Sequence, residues 1–530
     1  MTSLASTRSA VRFACPALLA VLLAVLLAGC AHDAARTGVS TDWVAGRAEP
    51  AFDPDGPPDA LRWALERQLS MGLVERDSSG AIRNAIADSI GCSRDSLTWT
   101  FRLRARLRFT DRTPVTSEDV SAALKAGLAR EDHATRAWLL AAVAGVQNVR
   151  AGRPLPALGI DTPDARRLVL KLARPDRRIL EALAVPGVST PWKRRSGSWL
   201  DAVGVGPYRV GAENPGRSLT LVAGAPVAGV AALKDTLHVR FILGAARAGA
   251  VMRLAHADLI WPLASGTLSQ PFAAGWSLER RSAEPGRRLL LVLRADLPPI
   301  SRAETRQVLA SAINREELVT ALGEGCEPIR RWLPGARSAY EWPRLESPSD
   351  RRVRLAESGD GSQRPESFHF ALAYDADLSG AEIARALQGQ WARAGHYAEL
   401  RPLRGQAAST QALAAAAAQA ELVESQAVLP GAEAELAQLV LPLRGPAVGS
   451  FRTGWRTREF DRWIAVAEPA VGFDPDFAQT RLAQDRVVLP LASIPWRMAI
   501  RNRGAQPRVH PAFGPGWTAV NSTRVETRTR

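Results

Sequence analysis

Lysine is nearly absent from this 530-residue chain: Lys125, Lys171, Lys193 and Lys234 are the four present. Arginine therefore supplies almost all of the 68 basic residues, which outnumber 53 acids and give a formal charge of +15. No long basic run accompanies this excess, so nucleic-acid binding is not expected. Cysteine is scarce too, with Cys15, Cys30, Cys92 and Cys326 and no C-x-x-C pair, which excludes a zinc ribbon or a thioredoxin-like motif. The seven histidines (His32, His133, His238, His256, His369, His396 and His510) stand isolated, with no H-E-x-x-H or helical His pair, so neither a metal nor a cofactor is expected. No G-x-S-x-G elbow is present, and no S-x-x-K motif with a plausible partner, which argues against a secreted hydrolase. Gly204-Val205-Gly206-Pro207 lacks the third glycine of a dinucleotide loop and reads as a turn before a strand.

What is present is an ordinary globular composition, 46% hydrophobic and 23% charged, in a chain long enough for several domains. Arg8 and Arg12 precede an unbroken apolar run from Ala17 to Ala28. At 12 residues this run is too short to span a bilayer, which takes about 20, and it fits a secretory leader. The run ends in Leu27-Ala28-Gly29-Cys30, which resembles the lipobox of bacterial lipoproteins. That resemblance implies lipidation at Cys30 after removal of residues 1–29, with residues 30–47 as a flexible tether.

Further along, Leu61, Ala64, Leu65, Leu69 and Leu73 fall at helical spacing. Leu97 to Leu103 alternates with period two and is rich in strand formers, and Leu107-Arg108-Phe109 starts a second strand. Thr116-Ser117-Glu118-Asp119 reads as an N-cap followed by acids in a first helical turn. Strand-like runs at 168–170, 237–242 and 289–293 alternate with helical stretches, which predicts an α/β fold.

The stretch Asp95-Ser96-Leu97-Thr98-Trp99-Thr100-Phe101-Arg102-Leu103-Arg104, followed by Phe109-Thr110-Asp111-Arg112-Thr113-Pro114-Val115-Thr116-Ser117-Glu118-Asp119-Val120, resembles the motif of the family 5 extracellular solute-binding proteins. These are the oligopeptide, dipeptide and nickel receptors of ABC importers. Gly204 to Tyr208, Pro298-Pro299 with Thr305 to Val319, the strand–helix–strand pattern of 368–404, Gly454-Trp455 with Phe460-Asp461, and Val487 to Leu491 match further motifs in the expected order.

The resemblance implies a two-lobed periplasmic-binding-protein fold with a ligand cleft between the lobes and an extra domain in the first. Mapped here, the first lobe is 48–286 plus 491–530, with the extra domain at 61–190, and the second is 287–490. It also implies an extracytoplasmic, membrane-anchored monomer, not an enzyme, that binds a peptide or other small solute and serves an ABC permease and ATPase. A non-transport lipoprotein, acting as sensor partner or assembly factor, is the alternative.

Three departures bear on the site. Arg112 stands where the family has a glycine, so the turn is expected to be rebuilt. Arg294 stands where an Asn is usual, near the expected crossover, either facing the cleft or solvated. The family's Trp-x-x-Asp, whose acid pairs with the ligand α-amino group in peptide receptors, reads Glu421-Leu422-Val423-Glu424-Ser425-Gln426. The candidate ligand-binding residues are therefore Trp138, Trp261, Arg294, Glu424, Gln426 and Trp455, each Trp being alternatively core. Cys92 and Cys326 are expected to stay unpaired, because a bridge between lobes would hinder closure. Cys30→Ser is expected to abolish lipidation, since a hydroxyl is a far weaker nucleophile than a thiolate. Equal labelling of wild type and variant by a fatty-acid probe would refute the lipobox reading.

Overall fold

A computed structural model describes residues 40–242 apart from short breaks, 257–263, 275–281, 287–329 with one break, 367–375, 380–403, 418–426 and 475–501, and short strands within 508–529. Cys30 and Trp455 lie outside the described residues, and of Gln426 the backbone alone is described.

Two large sheets carry the chain. The first has seven strands in the order β13-β20-β12-β1-β11-β9-β8. They are β1 (Ser40–Ala45), β8 (Tyr208–Asn214), β9 (Ser218–Ala223), β11 (Thr236–Phe241), β12 (Leu259–Ile260), β13 (Trp276–Arg281) and β20 (Trp496–Arg501). β1 runs parallel to β11 and β12, and the remaining pairings are antiparallel. The second sheet has six strands in the order β15-β19-β14-β18-β16-β17. These are β14 (Arg287–Leu293), β15 (Glu327–Pro328), β16 (His369–Asp375), β17 (Tyr397–Leu403), β18 (Ala420–Gln426) and β19 (Val488–Ile494). β16 runs parallel to β17 and β18, while β14 is antiparallel to β18 and β19.

The chain passes twice between these sheets. β13 closes the first sheet at Arg281 and β14 opens the second at Arg287; β19 ends the second at Ile494 and β20 re-enters the first at Trp496, across Pro495. Two crossings make a two-lobed α/β fold.

A third, five-stranded sheet, β24-β4-β5-β7-β6, forms the extra domain. It comprises β4 (Ala87–Cys92), β5 (Thr98–Leu103), β6 (Ile160–Asp164), β7 (Arg167–Lys171) and the C-terminal β24 (Thr527–Thr529), which adds parallel to β4. Ribbons β2 (Val74–Arg76) with β3 (Ile82–Asn84), β10 (Val230–Ala232) with β23 (Thr518–Val520), and β21 (Arg508–His510) with β22 (Gly514–Gly516) complete the strands.

Local chemistry accounts for the elements. Alternation on β5 buries Trp99, Phe101 and Leu103 and leaves Arg102 exposed. Thr116 and Asp119 form a capping box that starts helix α2 (Ser117–Ala126), as the N-cap reading expected, and the short helices α3 (Ala134–Leu139) and α4 (Ile179–Leu183) follow it. Asp59 caps α1 (Ala60–Leu69), and Asn314 accepts from the Glu316 and Glu317 amides to cap α6 (Arg315–Leu322), which follows α5 (Ala303–Ser311). Between β16 and β17 runs α7 (Gly380–Arg393), the strand–helix–strand pattern read from the sequence. The Gly204–Pro207 turn leads into β8 at Tyr208. A Cβ at Gly206 would sit 2.4 Å from the Leu69 carbonyl carbon, so glycine lets the turn close on the end of α1.

Four expectations change. Residues 40–45 are not tether: they form β1, a central strand, with Trp43, Val44 and Ala45 fully buried. The second lobe extends to Ile494, not 490, because all of β19 pairs in its sheet. Helix α1 belongs to the first-lobe core with Trp43, Trp199 and Tyr208, so the extra domain begins after it. The loop after Phe109 makes an isolated bridge, Arg108 to Pro114, in place of a second strand, and the turn is kept: Arg112 itself takes φ 73°.

Charge is buried beneath the first lobe. Asp55 receives Arg195 at 2.6 Å and Arg136 at 3.3 Å. Glu66, 2% exposed, has Arg62 at 3.4 Å. Burial outweighs that attraction and pushes the Glu66 carboxyl from 4.5 up to about 8. A proton held more tightly by the folded state stabilises it fully below pH 4.5 and ceases to do so as pH rises through about 8. Glu66→Gln is expected to flatten this slope, matching wild type in acid and exceeding it by a few kcal/mol above pH 8, read from urea unfolding across pH. A slope identical in wild type and variant would show that Glu66 is ionised in the fold.

Candidate functional site between the lobes

Open α/β sheets bind ligands beyond the carboxyl ends of their parallel strands. In the first sheet those ends are Gly46-Arg47 after β1 and Trp261-Pro262 after β12. The Trp261 amide donates to the Val44 carbonyl, and the Trp43 indole donates to the Trp261 carbonyl at 2.8 Å. In the second sheet they are Asp375 at the end of β16 and Gln426 at the end of β18. Arg287 lies opposite Gln426 and Ile494 opposite Arg287, so both crossings leave from this same end. The two sets of ends face each other: Arg47 of the first lobe lies 4.0 Å from Asp375 of the second and 3.5 Å from Asp59. Burial pushes the Asp59 carboxyl up, but Arg47, Arg62 and the backbone N–H groups of Arg62 and Leu61 outweigh it and hold it below the ordinary range.

An aromatic and charged layer joins the lobes at the crossings. Trp261 is fully buried between Trp43 and Trp496, with ring centroids 6.1 and 5.1 Å away. Arg287 lies over the Trp496 ring at 4.1 Å and forms an ion pair with Glu424. Arg497, 2% exposed, reaches from β20 into the second lobe, donating to the Leu322 carbonyl at 2.9 Å and to Cys326 Sγ at 3.1 Å. Burial raises the Cys326 thiol pKa against the pull of Arg497 and Arg287. Cys326 and Cys92 are both free and buried.

The structure brings together Trp261, Glu424 and the backbone of Gln426, and separates the other described candidates. Trp138 packs half-buried against the extra-domain core, a cluster distinct from the one holding Trp261. Arg294 is neither at the crossover nor solvated. It follows the far end of β14 from Arg287, is 7% exposed, and pairs with Asp296 at 2.7 Å through two nitrogens. Trp261 shows no surface and serves the core here. Sequence reading missed Arg47, Arg287, Asp375, Trp496 and Arg497, which carry no local motif. Their one signal is position beside a strand end or a crossing.

The profile of the bacterial extracellular solute-binding proteins, family 5 (middle), matches residues 81–433. The chain belongs to this family. It is 34% identical over 132 residues to the periplasmic murein peptide-binding protein MppA of Escherichia coli (strain K12), 24% of each chain. It is 24% identical over 394 residues, 71% of each chain, to the glutathione-binding protein GsiB of Escherichia coli O1:K1 / APEC. Alignments to the first curated relatives thus span about a quarter to a third of those proteins. The solved structure of the Escherichia coli murein tripeptide-binding protein MppA superposes with a TM-score of 0.74 at 17% identity, covering 92% of this chain and 99% of that one. The family 5 relatives are binding proteins rather than enzymes.

Glu424→Ala is expected to leave Arg287 buried without its counter-charge and to cost about 3 kcal/mol of stability. Replacing both, Arg287→Met with Glu424→Leu, should recover most of that in a double-mutant cycle of urea unfolding. Additive single-variant costs would remove the pair from the account.

Proposed function

We propose that this family 5 protein is a lipid-anchored extracytoplasmic receptor that closes on a peptide or related small solute and delivers it to an ABC permease and its ATPase. The observation that carries the reading is the pairing of strand ends across two crossings, with Arg47 beside Asp375 where the lobes meet. Two linking segments permit hinge closure, and a concave site at a lobe interface is where small ligands are expected. The lipobox ending in Cys30 supplies the anchor, in the periplasm or at the cell surface. Peptide-binding relatives supply the solute class.

Ligand preference follows from charge. Glu424, the acid that replaces the usual amine-binding carboxylate, is already matched by Arg287. A free α-ammonium group therefore gains little there, and acidic or amino-blocked peptides are favoured over free-amine ones.

Ligand must bind the closed form more tightly, because equal affinity for both forms shifts nothing. At a hundredfold excess over Kd it adds about 2.7 kcal/mol of stability. A thermal-shift screen over free-amine, acidic and amino-blocked peptide pools, followed by small-angle scattering, is expected to show stabilisation with compaction, largest for the acidic or blocked pools. No stabilisation by any pool, with dimensions unchanged throughout, would favour the non-transport lipoprotein instead.

A further inference from the structure

The extra domain carries a strip of arginine that the interlobe site does not use. Along β5 and the loop after it, Phe101, Leu103, Leu107 and Phe109 turn inward and are buried. Arg102, Arg106, Arg108 and Arg112 are exposed on the other side, and Arg104 is half-exposed. Within β5, which ends at Leu103, alternation turns Arg102 outward, and the turn and loop that follow carry Arg106, Arg108 and Arg112 on the surface.

These five guanidiniums stand out by their partners. Many arginines of the fold meet carboxylates, and on the same sheet Arg167 pairs with Asp164 at 2.8 Å and Lys171 with Asp161 at 2.7 Å. Among the described residues none of the five has a carboxylate partner. Arg104 donates to the Ala85 carbonyl and Arg108 to the Arg112 carbonyl, both at 2.8 Å, which positions them without neutralising them. Arg166 adds another cation, donating to the Leu103 carbonyl at 2.8 Å. Lys193 adds one more over the Phe109 ring at 4.8 Å. Asp111, the acid inside the strip, accepts from the Thr113 amide and hydroxyl. Arg106 and Arg112 hold φ values of 61° and 73°, a backbone that glycine takes at lower cost.

We propose that this strip is a docking surface for an anionic phospholipid bilayer. A cluster of like charges at a strand end and the loop after it repels itself in the free protein and is relieved by a surface of opposite sign. Nucleic acid fits worse: its unpaired bases call for exposed aromatic platforms, and the aromatic residues of this segment point into the core. An acidic protein partner fits worse as well, because tight interfaces centre on buried apolar anchors, whereas Thr98, Thr100 and Arg102 make up this face of β5. A headgroup plane asks for charge alone. Each arginine near such a surface contributes about fivefold to partitioning, screened over about a Debye length.

The test measures partitioning of the full chain to vesicles of phosphatidylcholine alone and with phosphatidylglycerol. The readout is the anionic-to-neutral ratio, to which an anchor or a bound peptide contributes equally on both sides. Wild type should favour anionic vesicles and lose that preference as salt is added. Arg102→Ser with Arg106→Ser and Arg108→Ser should lower the ratio about a hundredfold. The same three positions changed to Lys should keep it, which separates lost charge from lost folding. Arg209→Ser with Arg217→Ser and Arg385→Ser, exposed on other elements, should change it much less. An unchanged ratio in the first variant, an equal loss in the last, a loss in the Lys variant, or binding to heparin without binding to vesicles would each overturn the proposal.

Discussion

Everything about the interlobe site depends on the chain crossing between sheets twice at the same end. Because β14 opens at Arg287 and β19 closes at Ile494, both links leave the second sheet beside the carboxyl ends of β16 and β18. Parallel strands leave their carboxyl ends open to a ligand, and the crossings hold two such sets of ends opposite each other. The contacts that join the lobes gather there: Trp496 between Trp261 and Arg287, Arg497 on the end of α6, and Arg47 beside Asp375.

Arginine does three kinds of work in a chain almost without lysine. Arg136 and Arg195 meet Asp55, where a planar fork of donors suits a buried carboxylate, and Arg62 lies beside the Glu66 carboxyl. Arg287 and Arg497 tie the lobes together through a carboxylate, a ring face, a carbonyl and a thiol. Among the described residues the extra-domain strip meets no carboxylate, and burial does not explain why it is basic. One residue type thus serves stability, lobe contact and surface charge, and the partners tell these uses apart.

The family was legible because its motifs are local. A strand ending in Phe-x-Leu-Arg and a capped helix are written in consecutive residues, and Thr116 with Asp119 cap that helix as read. The turn between them survives the loss of its glycine, since Arg112 adopts the left-handed backbone at a cost of about 1 kcal/mol that the surrounding contacts cover. The opening strand was illegible, because Ser40-Thr41-Asp42 looks like linker and the three residues that make β1 central are too few to show a period. Arg294 failed for a related reason: a motif aligns residues along a strand without saying which end meets the cleft.

Sequence alone determined the α/β class and the family, both properties written in neighbouring residues. Tertiary structure decided which residues share the interlobe face. Trp261 and Trp496 lie far apart in the chain yet pack ring against ring at a tilt, Arg287 takes the charge of Glu424, and Arg47 meets Asp375. These pairings join positions more than a hundred residues apart through sheet register and two crossings, and no local periodicity encodes them. That no carboxylate among the described residues meets the arginine strip has the same origin, since only the folded neighbourhood decides whether an acid is there.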